Sequence, residues 1–182
     1  AIMALDGLND SRVVEPLAHL LNDENSMVRV HAAYALGKLN DTRGTESLIQ
    51  LLNNENQTVR GEAAQSLGYL GGVLGSISED DLICAVIVDQ LIQLLNDDDP
   101  RIREKAVIAL FNFNDTNATE PLVQLLDDEE SRVRVHAASS LAKLKDARAL
   151  EPLIQFLDDE DPMIRVIAAR SLGNLGGILE DD

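Results

Sequence analysis

The chain has 182 residues, 45% apolar and 26% charged, with only 3% aromatic and no tryptophan, which is the make-up of a folded protein with an aliphatic core. Thirty-two acids against 15 bases leave a formal charge of −17, which repels nucleic-acid phosphates and anionic lipid surfaces and argues against both as partners. A single cysteine, Cys84, excludes a disulfide framework or multi-thiolate metal site. The longest apolar run, Leu82 to Val88, is seven residues, far short of a membrane span, and it is not N-terminal as a signal-peptide core would be. The expectation is a soluble cytoplasmic protein.

The chain repeats itself. Val28-Arg29, Val59-Arg60, Ile102-Arg103, Val133-Arg134 and Ile164-Arg165 stand 31, 43, 31 and 31 residues apart, so one unit carries 12 extra residues. Leu36, Leu67, Leu110, Leu141 and Leu172 keep the same register, as do Leu17, Leu48, Leu91, Leu122 and Leu153. About five and a half units fill the chain. A shift of 105 lays His31 on His136, Lys38 on Lys143 and Leu67–Leu74 on Leu172–Leu179, so super-units of three repeats overlie the basic period.

In chain order the units span 1–24 (partial), 25–55, 56–98, 99–129, 130–160 and 161–182 (partial), within one domain. Ala1 aligns with Ala32, which places the start of the chain inside a first helix without its cap. A second helix is predicted from Glu15 after a 3₁₀-like entry over 12–14, because Pro16 can stand only in a first turn; Pro121 and Pro152 recur there. In the next unit Val28, Ala32, Ala35, Leu36 and Leu39 recur at three- and four-residue steps, one buried face of a first helix. Ser26, Asp99-Pro100, Ser131 and Asp161-Pro162 supply caps and first-turn prolines. Gly68, Gly71, Gly72 and Gly75 are expected to end the helix of the third unit and open a loop or ridge over the insertion, 71–82. The last helix, from Met163, has no following partner, which would leave Ile164, Ala168, Leu172 and Leu175 partly uncovered and favour self-association through the ends.

A two-helix unit this short cannot bury its stripe alone, so neighbours must stack. The pattern Asp-x-x-Val-Arg-x-x-Ala-Ala-x-x-Leu-Gly-x-Leu, followed by Asp-x-Arg-x-x-Glu-Pro-Leu-Ile-x-Leu-Leu, resembles the short HEAT-like repeat of the phycobilisome-lyase type across essentially every residue outside the insertion. The resemblance implies an all-α, right-handed α-solenoid of stacked two-helix repeats. It also implies a structural role for Arg29, Arg60, Arg103, Arg134 and Arg165, each reaching carboxylates or carbonyls of neighbouring turns.

Chemistry is scarce. Deoxyhypusine hydroxylase, which resembles this chain in fold, holds two irons with adjacent His-Glu pairs on first helices. The matching positions here are Val30-His31, Gly61-Glu62, Glu104-Lys105, Val135-His136 and Val166-Ile167, none of them His-Glu. His31 and His136 are three units apart, roughly 25–30 Å at helix spacings of 8–10 Å, so no shared metal is expected. Cys84 lies in an apolar run and reads as a buried, inert thiol. The glycine run follows no strand and lacks a Lys, unlike a phosphate-binding loop, and the acidic runs lack the D-x-D-x-D-G calcium pattern. No cofactor is expected.

What varies from unit to unit lies on one side of each first helix. That set contains Met27, His31, Tyr34 and Lys38; Glu62, Gln65 and Tyr69; Arg101, Lys105, Ile108 and Asn112; Arg132, His136, Ser139 and Lys143; and Arg170. Val30, Thr58, Gly61, Glu104, Val135, Met163, Val166, Ile167 and Asn174 belong to it as well. Six of the 15 bases fall on this strip against Glu62 and Glu104, a net +4 on a chain of −17. The resemblance places the strip on the concave side. The function expected is a non-catalytic scaffold holding a partner protein or an acidic or amphipathic peptide there. Two alternatives stay open: a bilin lyase or isomerase component handling an open-chain tetrapyrrole, and a sensor or structural arm of a larger signalling protein.

Overall fold

A computed structural model describes residues 11–77 and 81–175. Ten α-helices occur among them: α1 (Ser11–Leu20), α2 (Ser26–Lys38), α3 (Thr42–Leu51), α4 (Gln57–Ile77), α5 (Asp81–Gln93), α6 (Pro100–Phe113), α7 (Thr119–Gln124), α8 (Ser131–Lys143), α9 (Leu150–Gln155) and α10 (Pro162–Leu175). No strand is present among the described residues. The even-numbered helices pack on one another in sequence, α2 on α4 on α6 on α8 on α10, and each odd-numbered helix packs against at least one even-numbered helix beside it. The result is a two-layer α-solenoid with an unbroken core running from Val30 to Leu175.

The polar turns set where each first helix begins. Asn25, Asn56, Asp99 and Asp161 each accept a hydrogen bond from the backbone N–H two residues on, at 2.8–2.9 Å. Two residues earlier, Asp23, Asn54, Asp97, Asp128 and Asp159 do the same for the turn itself. The acidic runs are thus occupied in organising backbone. Glu130 is the exception: its longer side chain makes no cap bond. At the other end Asn40, Asn114 and Lys145 take the left-handed conformation (φ 58°, 55° and 63°). After α2 and α8 the following N–H returns to Leu36 and Leu141 carbonyls at 3.0 and 2.9 Å, closing Schellman turns.

Four local expectations change. Gly68, Gly71, Gly72 and Gly75 do not end a helix; α4 runs through them to Ile77, so residues 71–77 of the insertion are helix and Asp81 and Leu82 already belong to α5. A Cβ on Gly71 would stand 2.7 Å from Phe113 Cε2, so the α6 ring packs where a side chain would be, and that packing outweighs glycine's weak helix propensity. Pro16 is inside α1 instead of in its first turn, whereas Pro121 and Pro152 follow separate 3₁₀ turns at Thr116–Ala118 and Ala147–Ala149. A missing N–H loosens one turn, and in α1 that turn stays close enough to helical to be continuous. Ile164, Ala168 and Leu175 are buried and Leu172 is half-buried, because this stripe faces back onto α8 and α9; the large apolar residues of α10 that are exposed are Met163 and Val166. Cys84 is half-exposed instead of buried.

Close approach depends on small residues. Ala63, Ala106, Ala137 and Ala168 are fully buried between helices. Gly44 of α3 lies so near α2 that an added Cβ would meet the Ala33 carbonyl oxygen and stand 2.6 Å from Gly37 N. Backbone cannot move aside as a flexible side chain can, so Gly44→Ala is expected to cost about 1–3 kcal/mol by overpacking. Gly173→Ala, in α10 with nothing within 4 Å of the new carbon, is expected to gain about 0.5–1 kcal/mol. Urea midpoints of the two variants check the opposite signs.

The five repeated arginines share one geometry. Nη1 of Arg29, Arg60, Arg103, Arg134 and Arg165 donates to the carbonyls six and five residues earlier, at 2.7–3.0 and 3.0–3.4 Å respectively. Arg60 and Arg103 also grip the next turn in two-pronged pairs: Arg60 with Asp97 (2.8 and 3.1 Å) and Arg103 with Asp128 (2.8 and 2.9 Å). Arg29 faces Asn54 in that register and Arg134 faces Asp159; neither makes the second grip, and a shallow depression marks each place. Burial pushes the Asp128 carboxyl up, but the Arg103 guanidinium, the Glu130 N–H and the nearby positive charge together hold it below its ordinary value of 3.8. A lowered carboxyl contributes stability above its unfolded pKa and loses it as pH falls through the folded value. Asp128→Asn is therefore expected to cost about 2–3 kcal/mol near neutrality, with the gap from the parent protein closing as pH drops below about 3.8 in acid-unfolding curves.

Candidate functional site

The first helices form one continuous face because they stack in order, and the variable side chains fall into columns 31 residues apart. One column lies inside the stack: Val30, Gly61 and Val135 are buried, so it packs between neighbouring helices and offers nothing to a partner. Glu104 of that column is half-buried, and Val166, with no described helix beyond it, is 49% exposed.

The other columns reach the surface unevenly. His31 and Lys38 are exposed, while Met27 and Tyr34 are half-buried against the core. Tyr69 is 58% exposed, its ring centroid 6.3 Å from that of Tyr34 in a tilted pair, and its hydroxyl accepts from Gln65 Nε2 at 2.9 Å. Glu62 and Lys105 form an ion pair at 2.7 Å between α4 and α6. Ile108 is exposed, and Asn112 Nδ2 donates to the Gly68 carbonyl at 3.1 Å.

Charge is where the sequence reading needs correction. Of the six strip bases, Arg101 pairs with Asp99 (2.8 Å), Lys105 with Glu62, and Arg132 with Asp161 (3.6 Å). Lys143 folds inward: Nζ donates to the Phe111 carbonyl at 2.5 Å and sits 4.3 Å from the centre of its ring, with burial lowering its pKa. His136 Nε2 lies 3.5 Å from Glu104 Oε1, and that contact holds the Glu104 carboxyl low against the effect of burial. The net +4 is consequently spent mostly inside the protein. Among the described residues Lys38 and Arg170 are the strip cations that reach solvent without a carboxylate. Ser139 is also withdrawn: it is buried, and Ser171 Oγ lies 2.7 Å from its hydroxyl.

Two hollows open on the face. A small one, about 60 Å³, lies between α4 and α6 with Gln65, Tyr69, Lys105 and Ile108 on its walls. A larger one, about 390 Å³, lies between α6, α8 and α10. Ile108, Phe111 and Asn112 line it from α6, Ile167, Arg170 and Ser171 from α10, and His136, Ser139 and Ser140 from α8. Its origin is one position: the column that carries Tyr34, Gln65, Ile108 and Arg170 carries Ser139 in α8. All five of these residues stand out in the sequence as variable, but that a small one between large ones makes a socket is visible only in the folded array. Phe111, Ser140 and Ser171 were missed because their two columns carry mostly small residues and read as packing positions. Among the described residues no three His, Cys, Asp or Glu side chains converge to hold a metal, and no helix is long and apolar enough to cross a membrane.

The family model for HEAT repeats matches residues 1–68, 73–134 and 88–173. The chain belongs to the HEAT-repeat family. No curated protein matches it. Among solved structures this HEAT-repeat chain is similar to an engineered protein at 28% identity and TM-score 0.63, covering 90% of this chain and 79% of that one. It is similar to a designed armadillo repeat protein in complex with the peptide (KR)4 at 24% identity and TM-score 0.68, covering 92% and 84%. It is also similar to the complex of CpcE and CpcF of phycocyanin lyase from Nostoc sp. PCC7120 at 23% identity and TM-score 0.70, covering 89% and 64%. These likenesses, with the repeated hairpins, make the fold a HEAT-type α-solenoid.

Proposed function

We propose that this HEAT-repeat chain is a non-catalytic scaffold that holds a partner protein or peptide along the face of α2, α4, α6, α8 and α10. The observation that carries the reading is the division of labour along those helices. Residues common to every unit are buried or bonded to turns, while Tyr34, Tyr69, Ile108 and Arg170, which differ between units, collect on one surface with amphipathic and apolar area to offer. The designed armadillo protein that is similar in fold holds a basic peptide. Here the strip cations without carboxylates, Lys38 and Arg170, favour an acidic or amphipathic one. Tyr34→Ala, Tyr69→Ala and Lys105→Glu are each expected to weaken partner capture from a native extract about five- to thirtyfold while leaving the helical circular dichroism unchanged. Unaltered capture by all three variants sinks the assignment.

The likeness to the CpcE–CpcF lyase complex supports a second reading, a component that shelters an open-chain tetrapyrrole. Mixing the protein with a free bilin decides it: a shift of the visible absorption band is the expected result of that reading, and an unchanged spectrum removes it.

A further inference from the structure

The hollow between α6, α8 and α10 differs from the rest of the face in its unmet hydrogen-bonding capacity. Ser171 Oγ has two close oxygens, Ser139 Oγ at 2.7 Å and the Ile167 carbonyl at 2.8 Å. A carbonyl only accepts, so the single Ser171 hydrogen goes to Ile167 and Ser139 donates to Ser171. Ser140, 98% buried on the floor, has no hydrogen-bond partner for its hydroxyl. A buried polar group left in that state costs free energy, which a ligand oxygen would relieve. At the rim the Arg170 guanidinium is exposed and meets no carboxylate among the described residues, and Ile108, Phe111 and Ile167 give the hollow apolar walls. The net provision is donors at floor and rim with apolar surface between.

We propose that this hollow is a socket for an acidic side chain of a bound peptide together with a bulky apolar neighbour, the carboxylate meeting Arg170 and Ser140 and the apolar group resting on Ile108, Phe111 and Ile167. The volume, about 390 Å³, lies within the range of ligand pockets and admits two side chains. A peptide suits it better than a lone small molecule because the second hollow, walled by Gln65, Tyr69 and Lys105, shares Ile108 and Asn112 with it. About one and a half helix spacings, roughly 12–15 Å, separate the centres of the two hollows, a distance that four or five residues of polyproline-II chain cover at about 3.1 Å each. The socket rests on reading the first-helix face as the binding surface.

An array of random nonapeptides, acetylated and amidated so that no terminal carboxylate competes, tests both levels. The expected binders share an Asp or Glu beside Leu, Ile, Met or Phe. Ser139→Leu, which restores to α8 a side chain of the size Ile108 has in the same column, fills the socket, and Arg170→Glu reverses its rim charge; each is expected to weaken those binders about tenfold or more. Circular dichroism confirms that both variants fold. Binders that lose affinity with Tyr34→Ala but ignore both socket variants leave the face reading standing and overturn the socket, as do binders without a carboxylate. An array that retains no peptide overturns the socket together with the peptide form of the face reading.

Discussion

The distance between neighbouring first helices is the quantity on which the rest of this molecule depends. Ala63, Ala106, Ala137 and Ala168 occupy the same place in successive units, all fully buried, and Gly61 adds a contact in which a Cβ would stand 2.8 Å from Ile102 Cδ1. Small residues at the contact let the helices approach closely, and a short hairpin survives only because the next one covers its stripe. The apolar columns therefore have no freedom to carry selectivity. Any change in them alters the stacking of two units at once.

The polar residues repeat for a related reason. Each turn between units must give its backbone groups partners without a sheet or long helix to do so. The arginine ladder answers this with two carbonyls per unit, and Asx residues take the amides. Arg60 and Arg103 also bind the following turn, through Asp97 and Asp128, whereas Arg134 makes no such pair with Asp159. Asn54 shows the limit: it keeps its duty to the Asn56 amide but gives Arg29 no second grip. The excess of acids over bases is thus concentrated at helix starts, where negative charge and acceptor oxygens are favourable, and is not a general feature of the surface.

Much of this could be read from the amino-acid order. The 31-residue register, the two-helix unit, the caps at Asp99 and Asp161 and the columns of buried leucine follow from spacing alone, because helical periodicity and cap chemistry are local, whereas Ser26 and Ser131, read as caps, already stand inside α2 and α8. What failed was decided by contacts between distant residues. The glycines of α4 look like a stop signal until Phe113 is seen packed against Gly71. Lys143 looks like a surface cation until its ammonium is found on Phe111, one unit away. Val30 and Val135 vary between units, as surface residues do, yet are buried, since Gly61 and Glu104 satisfy the same inter-helix position by different means. Variation marks a binding surface only when exposure accompanies it.

The relief of the exposed face follows from one column more than from any other. Tyr34, Gln65, Ile108, Ser139 and Arg170 stand at equivalent positions on five helices, and the backbone beneath them is nearly the same each time. Differences in side-chain volume are then written directly into surface height. Tyr34 leans on Tyr69 and raises the α2–α4 end, Ile108 forms a ridge between two hollows, and Ser139 leaves a gap that Arg170 overhangs. A solenoid can change what it presents by substituting this column while its stacking residues stay as they are. The face and its socket are separable from the stability of the array only in part, because Tyr34 with Tyr69, Glu62 with Lys105 and Ser139 with Ser171 also join one helix to the next.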